Sequence, residues 1–219
     1  MNGGKPVSLR EHFGLMARYN EWMNTKVYDA AAKLDAQALA ADRGAFFGSI
    51  LGTLNHLAVG DITWLKRFAT HPAGYAALDP VRRMPTPSSL DQQLSSDLGA
   101  LRMLRRELDA AILGWAEALT DADLGHVLEY ANMKGVVARR PFSGLVAHFF
   151  NHQTHHRGQV STLLLQAGQD VGVTDLVMLI TGYDALPFLK DGPIASAESF
   201  AAANAAFGDA LIGYAFWFN

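Results

Sequence analysis

Apolar residues recur along the first part of the chain as Leu9, Phe13, Met16, Met23, Val27 and Leu34, spaced by threes, fours and sevens. That period places them on one face of an amphipathic helix, and Ser8 stands where a side-chain oxygen can cap it. A second stripe, Ile50, Leu54, Leu57, Leu65 and Phe68, predicts a helix over 49–68. The stretch THPAGYAALDPVRRMPTPSS, with four prolines, breaks the period and predicts an irregular connection. Ser88, with Asp91 three residues on, has the form of a capping box. It would open a helix carrying Leu90, Leu94, Leu98, Leu101, Leu104, Leu108 and Ile112.

After Thr120 the pattern changes. HVLEYANMKGVVARR holds two short β-prone runs around Asn132 to Gly135, which predicts a hairpin. Pro141 sits where a helix can start, and the next helix is expected over 142–166 with Gly168 as its stop. A short helix is expected over 174–180 with Thr174 as its cap. In the tail from Ser196, Phe200, Asn204, Phe207, Leu211, Tyr214 and Phe218 fall at helical spacing, which predicts an extra packing or dimerisation helix. Four long helices with an apolar stripe each must bury those stripes against one another. The expected fold is therefore all-α: a four-helix bundle with a small hairpin insertion and a C-terminal extra helical segment. Residues 1–182 would form the bundle, and 183–219 an extension packed on it or at a dimer interface.

Half of the 219 residues are hydrophobic and 18% are charged, so the chain can build a sizeable core. A net charge of −3 with scattered basic residues gives no electrostatic reason to expect nucleic acid or an anionic membrane as partner. The first residues hold no apolar run of signal length, and no segment reads as a membrane span, so the expected location is cytoplasmic. Cysteine is absent from the sequence. That removes disulfides, thiolate ligands and a cysteine nucleophile, and leaves histidine or carboxylate to hold any metal.

Four of the eight histidines fall within HFFNHQTHHRGQ, residues 148–159. At about 100° per residue, His152 and His156 lie one turn apart on one face of the last bundle helix. His148 precedes them by a turn and His155 points to the edge of that face. Leu145, Phe149 and Leu163 share the face, so these imidazoles point inward and need partners for both nitrogens. A divalent cation is an economical partner. The alternative is that the histidines are surface residues or hydrogen-bonded core residues. A metal also needs a third ligand from another helix. His56 is one candidate, although it lies with Gly52, Val59 and Thr63 away from the leucine stripe; His12 and His126 are others. His71, beside Pro72, is expected in solvent. The spacing of His152 and His156 also suits a zincin protease, but Gln153 stands where that chemistry needs a glutamate base.

Taken together, FFNHQTHHRGQVSTLLLQAGQD followed by TDL, ARYNEWMN near the start and GTLNHLAVGDITWLKRF between them resemble the DinB family, over roughly residues 9–182. The resemblance implies a four-helix bundle holding one divalent metal ion through three histidines, often in a homodimer. Matched residue by residue, those histidines are His56, His152 and His156. Relatives in this family include thiol-dependent S-transferases, which implies a small-molecule thiol as cosubstrate. Zinc and nickel both suit imidazole ligands.

Other polar residues carry paired readings. Asp61 and Asn55 can orient a ligand imidazole, although Asp61 falls in the leucine stripe, where pairing with a buried arginine is the alternative. Arg157 is either an anchor for an anionic substrate group or half of a structural ion pair. Tyr19, Asn20, Trp22 and Trp64 line a pocket or fill the core, and His155 is expected to hydrogen-bond within the bundle. The leading functional reading is a metal-dependent enzyme that transfers or adds a small thiol. One alternative is a metal-dependent hydrolase, which needs a carboxylate base that the histidine face does not offer. The other is a non-enzymatic, stress-associated metal or small-molecule binding protein.

Overall fold

The structure, a computed structural model, describes residues 8–180. The chain divides into two units, residues 1–171 and 172–219. In the second, a 3₁₀ turn over Leu176–Leu179 is the one helical element among the described residues. Asp175 precedes it and no side chain caps it, so Thr174 does not have the expected role. The helix expected in the tail lies outside the described residues.

In the first unit, α1 (Leu9–Ala31) opens with a full capping box. Glu11 donates its backbone N–H to Ser8 Oγ, and the Ser8 N–H donates to Glu11 Oε2. A short α2 (Ala36–Ala40), capped by Asp35, leads to α3 (Ile50–Phe68), capped by Ser49. The proline-rich connection is less irregular than its composition suggests, with a 3₁₀ turn at Ala76–Leu78 running into α4 (Asp79–Arg83). Then come α5 (Leu98–Ala118) and α6 (Asp121–Leu124). The hairpin follows as β1 (Val127–Ala131) and β2 (Val137–Pro141), paired antiparallel with Tyr130 opposite Ala138. The last bundle helix is α7 (Phe142–Gln166). Gly168 ends it at φ 79°, and the bonds Gln169 N–H to Leu164 O and Gly168 N–H to Leu165 O complete a Schellman motif.

The expected start of the leucine-rich helix is corrected. Ser88 does not cap it; the helix begins at Leu98 behind Asp97, whose carboxylate accepts the Ala100 N–H. Residues 84–97 instead form an irregular strap across α3. Asn55 pegs it there: its Oδ1 accepts the N–H groups of Leu94 and Ser95, and its Nδ2 donates to Ser95 O. These tertiary bonds satisfy backbone groups that a helix would have used, so the local capping signal loses. Leu90, counted in the helical stripe, is half exposed.

Helices α1 and α3 each pack against both α5 and α7, so α3 and α7 are neighbours along one edge of the bundle. One end of the core is aromatic. Phe68 stacks on Trp115 at 5.1 Å and meets Phe142 and Phe149 edge-on. Among the described residues, no helix is long and apolar enough to cross a membrane.

His71 is not in solvent. It is 5% exposed, its Nδ1 accepts the Ala73 N–H, and its ring packs against Tyr75, His126 and Phe142. Burial, with His126 alongside, holds its pKa below the ordinary histidine value. The neighbouring proline does not expose it, because the 3₁₀ turn folds Tyr75 back over the ring. Replacement His71→Ala should cost about 2–4 kcal/mol of stability, the range for truncating a large buried side chain. It should leave metal content unchanged. Urea denaturation and elemental analysis of the same preparation check both halves.

Candidate metal centre

His56 sits in the second turn of α3, while His152 and His156 sit one turn apart in the middle of α7. Because these helices are neighbours, the three rings converge. His56 Nε2 lies 3.2 Å from His152 Nε2 and 3.2 Å from His156 Nε2. One nitrogen from each residue falls within 4.8 Å of the other two, and no carboxylate joins the group among the described residues. Nitrogens bound tetrahedrally to zinc at about 2.0–2.1 Å would stand about 3.3 Å apart. The spacing fits a shared cation.

The outer nitrogens decide which tautomers are present. His56 Nδ1–H donates to Leu90 O at 2.7 Å, and His156 Nδ1–H donates to Gln159 Oε1 at 2.8 Å. In both rings Nε2 is thereby left as a lone pair. Burial pushes the His152 pKa down to about 3, with His156 and His56 adding to the effect. Burial also lowers His56 and His156. All three are therefore neutral at pH 7, the form that binds metals.

Four residues outside the sequence reading shape the group. The Phe47 ring stacks on His56 at 3.7 Å and meets His156 edge-on. The strap carbonyl of Leu90 and the side chain of Gln159 orient two of the imidazoles. Gly60 lets His152 lie against α3: a Cβ there would come 2.8 Å from His152 Cε1. A glycine inside a helical pattern often marks such close packing, so that one had a readable signal. Phe47 and Leu90 had none.

Tyr19, Asn20, Asp61 and Arg157 are buried in the bundle interior. Arg157 donates to Asn20 Oδ1 and lies over the Tyr19 ring. Asn20 and Asn24 both donate to Asp109 Oδ1, and Arg105 bridges Asp109 and Asp61. Burial raises the Asp61 carboxyl to about 6, against the pull of Arg105. Asp61 thus follows its alternative reading, pairing with a buried arginine. Neither it nor Asn55 hydrogen-bonds to an imidazole; Asn55 holds the strap. Trp64 stands at the rim, edge-on to His148 at 5.0 Å, and lines a cavity with Tyr130 and Arg140. His155 is exposed and, as expected, hydrogen-bonds within the bundle, accepting from Gln159 Nε2 one turn along α7. His12 is exposed at the start of α1, and His126 packs on His71; neither joins the group.

Two substitutions separate the metal group from the interior network. Gly60→Ala should weaken metal binding at least about tenfold by displacing the His152 ring, while alanine's better helix propensity, about 1 kcal/mol, leaves the metal-free protein no less stable. Competition with a chelating dye and melting of the apo-protein would show this. Asp61→Ala should cost about 3–5 kcal/mol by leaving a buried arginine short of its partner. It should not change metal stoichiometry in the folded fraction, as denaturant titration with elemental analysis would reveal.

The model of the DinB family matches residues 7–184. Protein DinB of Bacillus subtilis (strain 168) is 25% identical over 162 residues, which cover 72% of this chain and 87% of that protein. No solved structure gives a significant match. With the family match extending over most of its length, the chain belongs to the DinB family.

Proposed function

We propose that this protein is a divalent-metal-dependent enzyme that transfers or adds a low-molecular-weight thiol, with His56, His152 and His156 as the metal ligands. The observation that carries the reading is the convergence of three neutral imidazoles with no carboxylate beside them among the described residues. Three protein ligands are the arrangement that leaves a coordination position for a small molecule. Nitrogen donors favour zinc or nickel over the oxygen-seeking magnesium and calcium.

A cation held there supplies Lewis acidity that lowers the pKa of a sulfhydryl offered to it. The protein's part is to fix the imidazoles. The Leu90 carbonyl and the Phe47 ring hold His56, and Gln159 holds His156. The absence of a nearby carboxylate among the described residues favours a thiol over water as the group activated. A sulfhydryl ionises near pH 8.5 and needs little help from a protein base, whereas water ionises near 15.7. With no cysteine in the chain, the sulfur comes from the cosubstrate.

Protein purified without chelators is expected to carry one equivalent of zinc or nickel, and His152→Ala to carry none. Retention of a full equivalent would remove His152 from the ligand set. Loss of free thiol in the presence of an electrophile such as chlorodinitrobenzene or an epoxide is the matching activity assay. Chelation should abolish turnover and added metal restore it. Metal-loaded protein that is inert across such a screen would point to metal binding without catalysis.

A further inference from the structure

The face of α3 that carries His56 continues past the metal group. At about 100° per residue, Gly60, Thr63 and Arg67 all stand within about 40° of His56 around the helix. The stripe runs from the imidazoles toward the hairpin. Its first two members are small, and its last is a cation. Arg67 lies about three turns, or about 16 Å, along the axis from His56. Its guanidinium reaches back over the Trp64 ring at 4.6 Å and stands 5.2 Å from the Tyr130 ring. That backward lean, usual for long helical side chains, brings the charge to on the order of 10–12 Å from the metal group.

Arg67 differs from two of its neighbours. Arg82 pairs with Asp79, and Arg139 pairs with Glu129. Among the described residues, no carboxylate pairs with Arg67, although the side chain is half buried. Desolvation lowers its pKa, as expected of a cation held without an opposing charge. Two aromatic faces fix the guanidinium in place, which reduces the entropy lost when an anion binds. In front of it lies a cavity of about 520 Å³, lined by Thr63, Lys66, Tyr130, Asn132 and Glu129, the last paired with Arg139. Across Tyr130 a second cavity of about 470 Å³ reaches His148, one turn from His152. Both volumes are in the range of small-molecule sites.

We propose that the cleft between α3 and the hairpin binds the carboxylate end of an extended substrate, with Arg67 as its anchor and Thr63 as the floor on the way to the His152 ring, which covers Gly60. The inference rests on the thiol reading given above and narrows it. The cosubstrate is a long thiol acid whose carboxylate lies on the order of 10–12 Å from its sulfur, not a compact thiol. Arg67 supplies a planar fork suited to a carboxylate, and Lys66 beside it, whose Nζ donates to Arg82 O, offsets the charge of Glu129 on the same wall.

The test uses cobalt-loaded protein, in which a thiol reaching the metal announces itself by charge-transfer absorption. Mercaptobutanoate, mercaptooctanoate and mercaptoundecanoate are titrated, each beside its methyl ester. The longer acids should bind at least about tenfold more tightly than their esters, as a charge-assisted bond implies. The shortest pair should show no such difference. Arg67→Gln, checked for a full equivalent of cobalt, should abolish the preference of the long acids and leave the shortest thiol unaffected. Equal binding of acid and ester at every length, or a preference that survives Arg67→Gln, would overturn the anchor while leaving the thiol site standing. No spectral response to any thiol would overturn the thiol reading and this inference with it. The acid–ester comparison is made on the unaltered protein, so it decides the question even if the variant fails to fold.

Discussion

Three imidazole lone pairs directed at one point repel one another, and much of this bundle serves to hold them in that relation. His56 meets His152 and His156 because α3 and α7 run side by side in one register, with Gly60 opposite the His152 ring. A slip of one residue along either helix would rotate its face by about 100° and carry the imidazole out of the group. The outer nitrogens are tied down as well, His56 to the strap and His156 to its own helix. The convergence is thus a property of the packed bundle and not of any one segment.

The register has a second guarantor on the adjacent face of α7. Gln153 and Arg157 follow His152 and His156 by one position each, which turns them about 100° into the interior. There Arg157, Arg105, Asp61 and Asp109, with Asn20 and Asn24, tie α1, α3, α5 and α7 together. Two positive and two negative charges balance. A register that separated them would leave a charge buried without its partner, at a cost of several kcal/mol. One turn of α7 therefore presents metal-binding chemistry on one face and the charge lock of the core on the next.

The connections complete what the helices begin. The strap over 84–97 brings a backbone carbonyl to His56, and the loop before α3 brings the Phe47 ring. The hairpin sets Tyr130 against Trp64 and Arg67, forming the wall of the cleft. Rigid helices carry the ligands, and loops tune them and shape the approach.

The sequence alone determined whatever depends on contacts within a few residues. The four long helices, the Ser8 cap, the Gly168 stop and the hairpin all rest on local hydrogen bonds and local periodicity. The pairing of His152 with His156 was legible for the same reason, since one turn of helix sets it. What periodicity left hidden was set by packing between distant segments. Almost every residue of α3 from Ile50 to Ile62 is buried, so its leucine stripe does not mark a single inward face, and His56 is inside despite lying off it. The Ser88 capping signal was overridden by Asn55, and the solvent expected around His71 is displaced by Tyr75 and Phe142. Local preferences are worth a fraction of a kcal/mol to about one each, whereas burying a ring or satisfying a buried backbone group is worth more. Where the two disagreed, tertiary structure decided.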